Sequence, residues 1–227
     1  PAHSAMSSHD ALMVASGITT VLDAVAIGDV RDGGDRLENL EKMINAVEET
    51  QKRGLNRAEH RLHLRCELPH HTTLPLFEKL VDREPVSLVS LMDHSPGQRQ
   101  FARIEKYREY YQGKYALTNE EMARYEEEQR QLAAQWSQPN RLSIAAMCRD
   151  RNIALASHDD ATHEHVRESH QLGSVIAEFP TTFEAAEASR THGMNVLMGA
   201  PNIVRGGSHS GSVAASALAS LGLLDIL

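Results

Sequence analysis

Cysteine is nearly missing from this chain of 227 residues, which holds only Cys66 and Cys148. Two thiols cannot build the disulfide framework of a small secreted domain, so a reducing, cytosolic setting is expected. Aromatic residues are as scarce, at 4% with one tryptophan, against 41% apolar residues, which leaves an aliphatic core. A basic excess is lacking too. The formal net charge of −8 argues against general binding to nucleic acid or anionic membranes. No stretch reaches about 18 consecutive apolar residues, and no charged-then-apolar leader is legible, so neither a membrane span nor a secretion signal is expected. The apolar tail, 213–227, is punctuated by Ser216, Ser220, Gly222 and Asp225 and reads as a buried helix.

Several nucleotide and nucleophile signatures are also missing. The turn after the first strand-like stretch, from Gly28 to Gly33 and Gly34, lacks the G-x-G-x-x-G spacing of a dinucleotide site. The glycine-rich loop 199–211 has His209 at the centre of its G-x-x-x-G stretch, so it is no nucleophile elbow, and it lacks the G-K-[ST] end of a Walker loop.

What is present is histidine, thirteen in all, on an alternating strand and helix pattern. Strands are predicted at 18–27, 61–68, 86–92, 153–157, 174–179 and 195–198. Helices are predicted at 5–16, 35–53, 73–82, 98–112, 118–136, 140–151 and 162–172, with another from Thr181 to Gly193 and a last one beginning near Gly211. Asp35 with Glu38, Thr118 with Glu121 and Thr181 with Glu184 have capping spacing. Gly54 is placed as a helix stop, and Pro139 as the start of helix 140–151. The series contains six βα units and no linker, so residues 1–227 are expected to form a single α/β domain with a helical insertion at about 98–137. Such alternation implies a parallel sheet with helices outside.

Three metal-type side chains fall at the ends of three strands: Glu67, His94 and His158. An α/β barrel builds its site from such positions at one mouth, which favours a barrel over an open sheet, although roughly 250 residues is its usual size. In the second strand Leu62, Leu64, Cys66 and Leu68 share one face, leaving His63, Arg65 and Glu67 as a polar row on the other. Glu67, His94 and His158 are read as ligands of a divalent metal, zinc being the suited ion, with Asp159 and Asp160 behind them to orient an imidazole. The glycine loop, through Asn202, Arg205, Gly206, Gly207, Ser208, His209 and Ser210, is read as an anion-binding segment, with a lid as the alternative. His163 and His165 lie two apart on a predicted helix and do not converge, and His192 suits a helix C-terminus. His60, His70 and His71 fall into no usable pattern. The helix at 119–135 reads as a solvated face, while Tyr107, Tyr110, Tyr111, Tyr115 and Tyr125 could line a substrate lid.

The stretches HLRCEL, SGITTVLDA, MDHSPGQRQF, ASHDDAT and MGAPNIVRGGSHSG resemble the phosphonate-metabolism amidohydrolases of the carbon–phosphorus lyase pathway, from about Ser8 to the C-terminus. The resemblance implies a (β/α)8 TIM barrel of the amidohydrolase type. It further implies hydrolysis of α-D-ribose 1-methylphosphonate 5-triphosphate with release of pyrophosphate. A divalent centre, usually zinc, would be held by Glu67, His94 and His158, and the 202–211 loop would contact substrate phosphates. It also implies that these 227 residues are an internal piece of the barrel, about six βα units with the first and last strands missing. The water-activating Asp is then expected beyond Leu227, and the piece is expected to be inactive alone. Unpaired strand edges make a homo-oligomer conceivable. A cyclic-amide amidohydrolase of the dihydropyrimidinase or hydantoinase kind and a non-catalytic anion-binding scaffold stand as alternatives.

Overall fold

The computed structural model describes residues 2–28, 35–101, 103–208 and 211–227, without the side chains of residues 35–38. Gly33, Gly34, His209 and Ser210, and the side chains of the expected Asp35–Glu38 cap, therefore lie outside the described residues.

Strands β1 (Thr20–Ile27), β2 (Glu59–Glu67), β3 (Val86–Met92), β4 (Ala154–His158), β5 (Ser174–Glu178) and β6 (Asn195–Leu197) form one sheet. Every pairing is parallel and the spatial order follows the sequence order. A doubly wound sheet reverses its order at a switch point. An unreversed order with right-handed crossovers keeps all crossover helices on one face, which is the arrangement of an arc of a barrel. The architecture is thus α/β and barrel-like, as expected.

Helices α1 (Ala2–Ala15), α2 (Asp35–Lys52) and α3 (Thr73–Leu80) accompany the first strands, and α4 (Ile104–Tyr115) and α5 (Asn119–Asp150) join β3 to β4. Next come α6 (His163–Gln171), α7 (Phe183–Thr191), α8 (Ala200–Val204) and α9 (Ala215–Ser220). The main core forms where one stripe of each helix meets one face of each strand. Leu40, Ile44 and Val47 of α2, and Ile144 and Cys148 of α5, pack on Leu62, Leu64 and Cys66 of β2. Leu62 and Leu64 are fully buried, and each such side chain stabilises the fold by about 1.5–3 kcal/mol. Both cysteines are buried and unbridged. No helix among the described residues is long and apolar enough to cross a membrane.

Four local expectations are corrected. The helices expected at 118–136 and 140–151 are one continuous α5 with Pro139 inside it. Asn140 next to that proline donates to the carbonyls of Leu68 and His70 at 2.8 and 3.0 Å, and this anchoring offsets the single helical bond a proline removes. The cap of α7 is Thr182, which accepts from the Ala185 amide, one residue later than the expected Thr181–Glu184 pair. The glycine loop contains α8, and the last helix starts at Ala215. The tail is not one buried helix: beyond α9, Leu197 pairs with Ile226 in a parallel bridge. By contrast, Thr118 and Glu121 close the expected capping box with both reciprocal bonds.

Candidate metal centre at the strand ends

Glu67, His158 and Glu178 are the last residues of β2, β4 and β5, and His94 follows β3 by two residues. Parallel pairing sets Glu67 opposite Met92 and His158 opposite Glu178, so these ends lie level. His94 Nδ1 meets Glu67 Oε2 at 2.7 Å, and the other Glu67 oxygen accepts the His94 backbone N–H at 3.2 Å. The remaining ring nitrogen, Nε2, lies 3.6 Å from Asp159 Oδ2. Burial disfavours a charged His94 ring, but Glu67 and Asp159 outweigh it and push the imidazole up to about 10. Burial alone would raise the Glu67 carboxyl, yet His94 beside it holds it below its ordinary value.

His158 is oriented the same way. Its Nδ1 meets Glu178 Oε2 at 3.0 Å, while its Nε2 lies 3.4 Å from Asp159 Oδ2 and 3.2 Å from an Arg65 guanidinium nitrogen. A guanidinium only donates, so Nε2 accepts and Nδ1 carries the proton that Glu178 receives. Glu178 stays below the ordinary carboxylate range: burial opposes this, while His158, His63 and Ser90 favour it. Asp159 turns back over the strand end because its backbone is left-handed, φ +56. Aspartate tolerates that region better than most residues.

Two imidazoles, each clamped at Nδ1 by a buried carboxylate, thus direct Nε2 toward one aspartate. Donor atoms of His94, His158 and Asp159 lie within 4.8 Å of one another. Carboxylate–histidine clamps around a converging carboxylate are the donor set of a divalent-ion site, so the residues present fit such an ion. Of the sequence-predicted ligands, the structure brings His94 and His158 together and places Glu67 on His94, with both oxygens engaged there. Asp159 faces the centre. Asp160, expected to orient an imidazole, is instead bonded to Arg99 and to the Ser169 hydroxyl. The cause is direction: the left-handed turn at Asp159 sends consecutive carboxylates opposite ways.

Sequence reading missed Glu178 and the role of Arg65. Glu178 had a findable signal, because it ends its strand as Glu67 ends β2. Arg65 needed the His158 contact, which only the fold supplies.

Two open pockets flank the centre. One of about 620 Å³ is lined by Glu67, His94, Arg65, Tyr110, Tyr111 and Lys114. The other, about 480 Å³, is lined by His94, His158 and Asp159 together with Asn202, Arg205, Gly207 and Ser208. The expected anion cradle of glycine amides does not form at Gly206 and Gly207. Their N–H groups bond the carbonyls of Ile203 and Asn202 at 3.0 and 2.8 Å, closing α8. Asn202 Oδ1 accepts the Ala215 amide at 2.9 Å. The tyrosines split: Tyr107 and Tyr111 are buried with Phe101 and Met122, whereas Tyr110 is half-exposed at the first pocket. Asp225 holds Arg190 and the Val196 amide, away from the centre.

Parallel strands in unreversed order, with an imidazole and carboxylate cluster at their C-terminal ends, define an arc of a barrel-type fold carrying a candidate metal centre at its mouth. Over all 227 residues the chain is 89% identical to the α-D-ribose 1-methylphosphonate 5-triphosphate diphosphatase of Escherichia coli (strain K12), and it spans 60% of that protein's length. This relative meets the resemblance read from the motifs. A mandelate racemase/muconate lactonizing enzyme from Roseiflexus sp. aligns with 94% of this chain and 51% of its own, at 14% identity and a TM-score of 0.45. No protein-family model matches the chain.

Proposed function

We propose that the protein carrying this sequence hydrolyses the triphosphate of α-D-ribose 1-methylphosphonate 5-triphosphate, releasing pyrophosphate. The observation that carries this reading is the 89% identity, over every residue of the chain, to a diphosphatase of that name. The cation-rich pockets support it. Lys114 and Arg65 line one and Arg65 and Arg205 the other, so a polyphosphate has positive charge on both sides of the centre.

His94 Nε2, His158 Nε2 and the Asp159 carboxylate would hold a divalent ion, zinc by donor type, with Glu67 and Glu178 fixing the two rings. Such an ion, when bound, lowers the pKa of water and polarises a phosphoryl oxygen. The chain's own residues position the substrate. Arg205, exposed on the pocket rim, offers its planar fork to phosphate oxygens, and Ser208 lines the same wall. Arg65, now on His158 Nε2, is placed to follow a phosphate once that nitrogen is otherwise engaged. Cytoplasmic location belongs to the same proposal and rests on the two unbridged thiols.

Because the chain spans 60% of its relative, the assay uses the full-length protein. It should release pyrophosphate from the ribosyl triphosphate. His158→Ala should lose the strand-end equivalent of metal together with turnover, and Arg205→Ala should raise KM about tenfold or more with that metal retained, as expected for a lost charge-assisted contact. No pyrophosphate from the unaltered protein, or hydrolysis of cyclic amides instead, would refute the proposal.

A further inference from the structure

A second imidazole and carboxylate cluster lies on the other face of the sheet. His60 stands near the start of β2 and differs in parity from Glu67, so it points to the helix side, where α1 lies. There His60 Nδ1 meets Asp23 Oδ2 of β1 at 2.7 Å, and His9 Nε2 of α1 meets Asp23 Oδ1 at 2.9 Å. The far nitrogen of His60, Nε2, lies 3.3 Å from Asp10 Oδ1. That same Asp10 oxygen is fixed by the backbone amides of Arg57 and Ala58 at 3.0 and 2.9 Å. The His60 side chain is fully buried, whereas His9 is 41% exposed, so the cluster opens to solvent on one side.

We propose that His9, Asp23 and His60 form a second divalent-cation site, suited to zinc, with Asp10 as the residue that orients His60. Donor atoms from all three residues lie within 4.8 Å of one another, and tetrahedral zinc needs its donors roughly 3.3 Å apart. Two imidazoles and one carboxylate are a complete three-residue zinc set, with water filling the fourth position from the exposed side. His60 Nδ1 lies on Asp23 in this structure; with an ion between them, Asp10 would accept from His60 Nε2–H, the carboxylate–histidine pattern that fixes a ligand's tautomer. Each ligand comes from a different element, α1, β1 and β2. A bound ion would therefore staple the first helix to the first two strands, far from the strand-end centre. The proposal stands independently of the hydrolase reading.

The test is metal stoichiometry on the chain after chelation and reloading with zinc, read by elemental analysis. His9→Ala, a change at a partly exposed position, should remove one equivalent of zinc per chain and leave the strand-end equivalent in place. In the His158→Ala, Asp159→Ala background, one equivalent should remain, and cobalt substituted there should show the intense visible bands of a tetrahedral ion. Asp23→Asn should weaken that site about tenfold or more, while its melting curve in chelator should match the parent's. Zinc content unchanged by His9→Ala, or no zinc in the strand-end double variant, would mean a hydrogen-bonded clasp only and would overturn the proposal.

Discussion

Ser90 has a single hydroxyl hydrogen and gives it to Glu178 Oε2 at 2.7 Å, so His63, which meets the same hydroxyl through Nε2, must be the donor in that contact. A chain of hydrogen bonds thus runs from His63 through Ser90 to Glu178, which also receives the proton of His158. Burial is the main reason His63 stays neutral, depressing it to about 4; Glu178 opposes this, and Arg65 and His158 reinforce it. An unfolded histidine titrates near 6.5. The folded value is the lower one, so His63 costs no stability above about pH 6.5. Stability is lost as pH falls from there toward about 4, because the unfolded chain binds the proton first. The full loss corresponds to about 3 kcal/mol. Denaturant titrations at pH 7 and pH 4.5 should show His63→Gln losing about 2 kcal/mol less on acidification than the parent. Equal losses in both proteins would show that His63 does not carry this acid sensitivity.

The elements differ in how much of them local sequence could reveal. Strand ends at Glu67 and His158 were legible because apolar runs stop abruptly there, and the Thr118–Glu121 box because its spacing is local. Helix α5 was not legible, since Pro139 is a local stop signal while what overrides it is distant in sequence. Asn140 donates two hydrogen bonds to the carbonyls at the β2–α3 turn and is itself buried. Asn140→Ala should strand both carbonyls and destabilise the chain by about 2–3 kcal/mol, read as a shift of the urea midpoint. A change below about 0.5 kcal/mol would mean that packing alone carries the helix through the proline. The same blindness to distance hid His60, whose partners Asp10 and Asp23 lie in two other elements, and set Asp160 wrongly beside His158.

At the scale of the whole molecule, the alternation of strand and helix was enough to foresee a parallel sheet in barrel-like order, because right-handed crossovers leave few other arrangements. That sheet has a consequence at its first edge. Among the described residues β1 pairs only with β2, in a register that sets Leu22 opposite Arg61 and Ala24 opposite His63. Partners in a parallel pair share a face, so Leu22 lies on the side that carries Arg65 and Glu67, away from the helices. It is 44% exposed there, beside a row of backbone groups that β2 does not satisfy. An apolar side chain on an unpaired strand edge invites pairing with a second copy. The 227-residue chain should therefore self-associate across a rising concentration series in sedimentation velocity. Leu22→Lys should shift it toward monomer, because a lysine on the edge must be desolvated before another strand can dock. The substitution leaves β1's contacts to α1 and α2 untouched, so far-UV circular dichroism should not change. A parent that sediments as a monomer at these concentrations, or association indifferent to Leu22→Lys, would place the contact elsewhere than on this edge.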